Sequence, residues 1–221
     1  MVRKYNILLL VLLLAFASCS FTTKTFNDPN KDKLLVQVIT YVLERGHFDP
    51  KEMNDEFSEN VFNDYLKQID AFKRYFYKSD IEGFEKFKTQ LDDQLKDYDI
   101  SFFNLTHETL MKRVDEAKGI YKEILAKPFD YTIDEDFNSD YESHEYVKNK
   151  KQLKERWRKQ LKYASIANYD EILIEEKNKK EEDPSYVMKT EAEIEKESRE
   201  ATLNTIDSYF NDYIDDQERT E

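Results

Sequence analysis

Apolar and polar positions alternate along this chain with a period of three to four residues over long stretches, which is the spacing of one face of an α-helix. From Lys33 the pairs Leu34/Leu35, Val38/Ile39 and Val42/Leu43 return every four residues and place a wide stripe on one helical face, with Gly46 as the C-cap. A second start is marked by Asp49 as a cap, Pro50 at the first helical position and Glu52 reaching back. Met53, Phe57, Val61, Tyr65 and Ile69, with Phe62 and Leu66 beside them, then form one apolar face. A break over 70–78 holds Phe72, Tyr75, Phe76 and Tyr77; Ser79-Asp80-Ile81-Glu82 supplies another capping box, and Phe84, Phe87, Leu91 and Leu95 follow at helical spacing.

The spacing of Phe103, Leu110, Val114, Ala117, Tyr121 and Ile124 predicts a long helix from about Phe102 to Ala126, which Pro128 stops. Phe129, Tyr131 and Ile133 alternate with polar residues, so a short extended stretch lying across the helices is expected there, and a long acidic loop up to Tyr146. Helical spacing resumes from Asn149 to about Ala167 around Leu153, Trp157, Leu161 and Ala164. Between Glu175 and Asp183 the chain is almost all charge and has no apolar face, which reads as exposed or frayed. After Pro184, Ala192, Ile194, Ser198, Ala201, Ile206, Phe210 and Tyr213 support a final long helix. With three Gly, four Pro and no sustained alternation, the fold class is all-α: a multi-helix domain with long loops.

The first residues depart from this pattern. Arg3 and Lys4 precede an unbroken apolar run from Ile7 to Leu14 that closes on Ala15-Phe16-Ala17-Ser18-Cys19. The run is too short to span a bilayer, which takes about 20 apolar residues, and it reads as a secretory signal peptide over 1–18, cleaved on export, followed by a polar tether over 19–33. Ala15-Phe16-Ala17 suits the ordinary signal peptidase, and Phe16-Ala17-Ser18-Cys19 suits lipoprotein processing. Cys19, the one cysteine of the chain, is the expected lipidation site of a periplasmic, membrane-anchored lipoprotein; a soluble periplasmic protein cleaved near Ala17 is the alternative. No internal disulfide can form, so stability must come from packing.

Asp and Glu outnumber Lys and Arg by 47 to 34, a net charge of -13. That disfavours nucleic acid, whose phosphates are bound by clustered Lys and Arg. It favours basic partners, although a solvated helix surface explains the charge equally well.

Candidate chemistry is sparse. A nucleophile beside a base in a shaped turn is missing: there is no Gly-x-Ser-x-Gly elbow. His47, His107 and His144 lie in different elements without ligand spacing. Asp134, Asp136, Asn138, Asp140 and Glu145 fall at calcium-loop positions, but Ser139 stands where that loop demands Gly, and an acidic solvated loop is the expectation. Lys150, Lys151, Lys154, Arg156, Arg158, Lys159 and Lys162 surround Trp157; they read as an ordinary solvated helix with Trp157 in the core, and otherwise as a docking surface. Asn104-Leu105-Thr106 matches a glycosylation sequon by chance, and the many carboxylates single out no acid and base. No catalytic, cofactor-binding or metal residue is therefore assigned.

Three stretches carry a resemblance. They are Phe57-x4-Phe62-x2-Tyr65-Leu66-x2-Ile69-Asp70, then Tyr75-Phe76-x2-Ser79-Asp80-Ile81-x2-Phe84, and Lys127-Pro128-Phe129-Asp130-Tyr131 followed by Leu153-x3-Trp157. Their order and spacing resemble the N-terminal domain of the tail-specific (carboxyl-terminal processing) serine proteases, in a Bacteroidetes-like style, over about residues 34–218. The resemblance implies a periplasmic endopeptidase that acts on proteins from apolar C-termini, with a PDZ domain and a Ser/Lys dyad that follow this region. Neither is among these residues, so the chain is expected to be a truncated, noncatalytic part, inactive alone. The implied partners are protein substrates, the downstream PDZ and protease domains and, in some members, an adaptor lipoprotein, with membrane contact only through a lipid on Cys19. The alternative is a free-standing exported helical lipoprotein acting as an adaptor or binding module.

Overall fold

The computed structural model describes residues 29–46 and 52–220. Among them lie seven α-helices: α1 (Pro29–Tyr41), α2 (Asp55–Ile69), α3 (Lys78–Phe84), α4 (Leu91–Asp97), α5 (Ser101–Leu125), α6 (Lys150–Glu182) and α7 (Glu191–Thr220). One isolated parallel bridge, Tyr77 to Val147, is the β-pairing among the described residues. The fold is all-α, as the helical spacing requires. The leader over 1–18, Cys19, and Asp49 and Pro50 lie outside the described residues.

α2 begins at a cap other than the expected one. The Asn54 side chain accepts from Phe57 N at 3.0 Å, so the helix starts at Asp55. Its apolar face closes on α5 and on the aromatic break, with Phe62, Tyr75, Phe76, Phe84 and Phe102 all essentially inaccessible. Each such side chain contributes about 1.5–3 kcal/mol by leaving water. The rings meet tilted or edge to face, Phe62 on Phe102 at 5.5 Å and Phe76 on Phe84 at 5.4 Å, which the aromatic quadrupole favours over flat stacking.

The residues spaced as one helix after Ser79 form two. α3 runs through a 3-10 turn (Glu85–Phe87), and α4 starts afresh at Leu91. Ser58 and Asp92 explain the division. Ser58 Oγ donates to Asp92 Oδ1 at 2.6 Å and accepts from Asp92 N at 2.8 Å, pinning the start of α4 to α2. At the start of α3, Asp80 accepts from Tyr77 N at 2.9 Å, and both its oxygens take Arg113 of α5 at 2.8 Å.

α1 presents the opposite face to the one its stripe suggests. The helix begins at Pro29, inside the segment read as a tether, and it buries Val36 and Thr40, whose hydroxyl donates to Leu95 O at 3.2 Å. Leu34, Leu35, Val38 and Ile39 are 43–62% exposed. An edge helix touches its neighbour along a single i, i+4 line. Here that line lies across the helix from the broad apolar stripe, and no element among the described residues covers the stripe.

α6 and α7 form an antiparallel helical hairpin, about 50 Å and 45 Å long at 1.5 Å per residue. Asn149 caps α6 by accepting from Gln152 N at 3.1 Å, and no Gly or Pro follows before Pro184. The helix therefore continues through the charged tract at 175–182, which reads as exposed or frayed: it stays helical, and all of it but Glu176 is exposed. Its anchor is a carboxylate. Glu176 is inaccessible to solvent and accepts from Lys189 N at 2.9 Å and from Tyr186 Oη at 2.8 Å, with Lys179 Nζ 3.1 Å away. The bond from Lys189 N, helped by Tyr186 and Lys179, holds the Glu176 carboxyl down at about 2. Glu176→Ala is expected to raise amide hydrogen exchange over 183–190 by at least about tenfold while α5 stays protected.

Candidate interaction site

The residues of the family-like stretches converge on a buried polar centre. α2 ends at Asp70, and the following backbone curls over its carboxylate: Arg74 N at 2.9 Å, Tyr75 N at 3.2 Å and Phe76 N at 2.9 Å all donate to it. Those bonds satisfy three amides that the break would otherwise bury unpaired. Burial raises the pKa of Asp70, and the three amides and Arg74 oppose the shift. Lys73 absorbs the turn at a left-handed φ of 46°. Trp157 Nε1 donates to Arg74 O at 3.1 Å, so α6 is locked to the same turn.

The Arg74 side chain is 5% exposed and its Nε has no hydrogen-bond acceptor. Rings surround it, and the Asp70 carboxylate acts on it by charge alone. Its guanidinium lies 4.9 Å from Phe72, 5.2 Å from Tyr75, 5.4 Å from Trp157 and 4.9 Å from Tyr209. The negative ring faces stabilise the cation, and more so out of water.

The segment 127–149 is fastened over α6 by the basic residues around Trp157. Arg158 and Lys162 both pair with Glu135, Lys162 at 2.7 Å. Lys159 Nζ donates to Asp136 O at 2.9 Å, Arg156 to Glu145 O at 2.7 Å and also to Lys73 O, and Lys154 pairs with Glu123 at 2.6 Å. Arg156, Arg158, Lys159 and Lys162 are thus engaged inside the molecule as a clamp, while Lys150 and Lys151 of the same face stay exposed. Trp157 is fully buried, as its spacing suggested.

Hydrogen bonds from Arg158 and then Lys162 hold the Glu135 carboxyl at about 2, against an ordinary 4.5. A depressed pKa stabilises the folded form above the ordinary value and ceases to do so as pH falls toward the folded one. The clamp should therefore loosen between about pH 4.5 and pH 2. Hydrogen exchange over 132–148 measured down that range is expected to rise, and Glu135→Gln is expected to show the faster exchange already at neutral pH.

Beside the clamp, the turn 127–131 opens a groove. Arg199 of α7 donates to Leu125 O at 2.6 Å and pairs with Glu195 at 3.0 Å, and Glu195 in turn accepts from Phe129 N at 2.9 Å. Tyr131 Oη shares a 2.8 Å hydrogen bond with Ser165 in the α6–α7 seam. The turn is thereby held across both helices of the hairpin. A groove of about 830 Å³ remains between it and them, walled by Phe129, Tyr131 and Tyr169. Ile133, expected to lie across the helices, is 56% exposed, and the segment forms no strand.

The remaining candidates stay apart. Cys19 and His47 lie outside the described residues. His107 and His144 sit on α5 and after the 3-10 turn Tyr141–Ser143; burial, and Arg156 beside it, keep the His144 ring below its ordinary pKa. Asp134, Asp136, Asn138, Asp140 and Glu145 are not gathered about a common centre, and no His, Cys, Asp or Glu group among the described residues has metal-holding geometry. Thr106 of the sequon is buried and donates to Phe102 O at 2.9 Å.

Pattern reading placed Asp70 in a family-like stretch without giving it a role, and missed Arg74, Tyr169 and Glu176. A carboxylate immediately after a helix and before four residues of an aromatic break was a usable signal for Asp70. Tyr169 and Glu191 meet only through the hairpin, and no local pattern could join them.

Comparison with known proteins gives two findings. A family model described as "Tail specific protease N-terminal domain" matches residues 39–218. A protein named tail-specific protease from Haemophilus influenzae is 32% identical over 84 residues, which is 38% of this chain and 12% of that protein. The aligned part thus spans about an eighth of the relative's length.

Proposed function

Because the chain belongs to the tail-specific protease N-terminal domain family, we propose that it is the noncatalytic helical part of a periplasmic carboxyl-terminal processing serine endopeptidase. The match over 39–218 carries this reading. The side-chain chemistry supports it: Asp70, Arg74, Glu135 and Glu176 are each held by hydrogen bonds, ion pairs or ring contacts that build the fold. None stands beside a nucleophile in an open cleft, whereas acyl transfer needs an activated nucleophile next to its base.

In this reading the PDZ domain and Ser/Lys dyad are carried by other polypeptide, and this domain positions them through rigid packed faces. The leader up to Ser18 exports the chain, and Cys19 carries the lipid that tethers it to the membrane. No helix among the described residues is long and apolar enough to cross a bilayer. Protein substrates and an adaptor lipoprotein are the partners this function calls for.

The reading frame past Glu221 in the source genome tests the proposal. It should continue into a PDZ domain and a serine-lysine pair. A stop codon there in intact genomes, together with a partner recovered by pull-down, would instead favour a free-standing exported adaptor lipoprotein.

A further inference from the structure

The groove at the 127–131 turn has a wall chemistry that the domain's packing does not use. Phe129 and Tyr131 lie 6.2 Å apart, and Tyr169 meets Tyr131 at 5.3 Å, edge to face. Four carboxylates, Asp130, Asp170, Glu191 and Glu195, also line it, and Glu195 is already paired with Arg199. Asp130 accepts from Thr132 N and Oγ1 at 2.9 and 2.6 Å; that capping, with a smaller contribution from the Lys162 charge, keeps its carboxyl below the ordinary range. Asp170 and Glu191 are exposed and make no ion pair among the described residues.

The wall also carries two cations against its four carboxylates, Arg199 held by its partners and Lys196 largely exposed. Arg199 is engaged by Glu195 and Leu125 O, and Lys196 faces Glu200 at 3.8 Å. Negative charge is thus left over at an aromatic surface. Burial, then Glu191, Tyr131 and Asp170, push the Tyr169 hydroxyl above its ordinary pKa, which reports the same excess.

We propose that this groove binds a cationic side chain, arginine before lysine, presented by an extended segment of a second polypeptide. Aromatic faces attract a cation and surrounding carboxylates add to the attraction. A planar guanidinium can stack on a ring and bond a carboxylate with its edge at once, which a lysine ammonium cannot. The molecule already holds one guanidinium against rings, that of Arg74 at 4.9–5.4 Å. At about 830 Å³ the groove falls within the roughly 300–1,000 Å³ of ordinary ligand pockets, enough for a few residues around the cation. The net charge of -13 would draw such a segment in from a distance. The site would take it whatever the remaining polypeptide catalyses.

The test is a titration of the isotope-labelled full chain with acetyl-Gly-Arg-Phe-Arg-Gly-amide, followed by amide chemical shifts, with acetyl-Gly-Glu-Phe-Glu-Gly-amide as the control. Saturable shifts confined to 129–132, 166–170 and 191–199 are expected with the arginine peptide alone. The surface variant Asp170→Lys/Glu191→Lys should weaken binding at least about tenfold with an unchanged thermal midpoint, and Tyr169→Ala should weaken it as well. Three results would overturn the proposal. They are shifts scattered over the acidic surface, binding indifferent to the charge reversal, and equal binding of the glutamate peptide. Concentration-dependent shifts at these residues without peptide would give the groove to a second copy of the chain, and would overturn it too.

Discussion

Replacing Asp70 by alanine is expected to destabilise the domain by about 3–5 kcal/mol, because three buried amides lose their acceptor at once. Leaving one such group unsatisfied costs about 1–3 kcal/mol. The sum is reduced because the substitution also removes a carboxylate that burial disfavours. Asp70→Asn keeps one acceptor oxygen and should cost roughly half as much. Urea unfolding followed by far-ultraviolet circular dichroism measures both. An alanine variant within about 1 kcal/mol of the parent would mean that water or a rearranged turn satisfies those amides.

Trp157→Ala should cost a similar amount, about 3–5 kcal/mol, for a different reason. It empties the largest fully buried side chain of the core and removes the donor to Arg74 O. It also strips one of the four rings from a guanidinium that has no carboxylate partner in the hydrogen-bond network. Trp157→Phe separates these contributions. Phenylalanine refills part of the volume and keeps a ring near Arg74 but supplies no donor, so a loss of about 1–3 kcal/mol is expected. Folded domains of this size hold only about 5–15 kcal/mol in reserve, so either alanine variant should shift the unfolding midpoint by a large fraction of its range. Because Trp157 is the one tryptophan of the chain, these variants lose intrinsic tryptophan fluorescence, and circular dichroism is the appropriate readout.

The two substitutions address one physical feature, the convergence of sequence-distant stretches on a single turn. How far that convergence could be read from the sequence differs by element. The spacing of Phe62 and Leu66 gave the inner face of α2, and that of Leu110, Val114 and Tyr121 the inner face of α5, because both helices are buried along a whole stripe. Pro128 marked the end of α5 because proline cannot extend the hydrogen-bond ladder.

α1 was legible as a helix and misleading as a face. Its stripe of paired apolar residues faces away from the line it buries, and position at the edge of the fold, which no local pattern encodes, selected Val36 and Thr40. The charged tract at 175–182 is exposed, as its composition suggests, except at the one residue that anchors it. Hydrophobic periodicity detects apolar burial, and the group buried there is Glu176, satisfied by Lys189 N and Tyr186 Oη from beyond the hairpin turn.

The candidate site divides in the same way. Phe129, Asp130 and Tyr131 were visible as a motif, and Trp157 as a core residue. Their connection through Arg199, Glu195 and Ser165 depends on α6 and α7 lying antiparallel. The basic residues around Trp157 looked like a surface because charge on a helix is usually solvated. Glu135 and the carbonyls of 133–145 turn them inward as a clamp on a loop, across sequence separations of eleven to twenty-nine residues.

The most direct test of a noncatalytic helical domain is proteolysis by the purified chain itself. Incubated with a soluble protein ending in an apolar tail and followed by intact mass spectrometry, the chain should leave the substrate unchanged, and a serine-reactive phosphonate probe should not label it. Trimming of the substrate in proportion to chain concentration, abolished by that probe, would contradict the account.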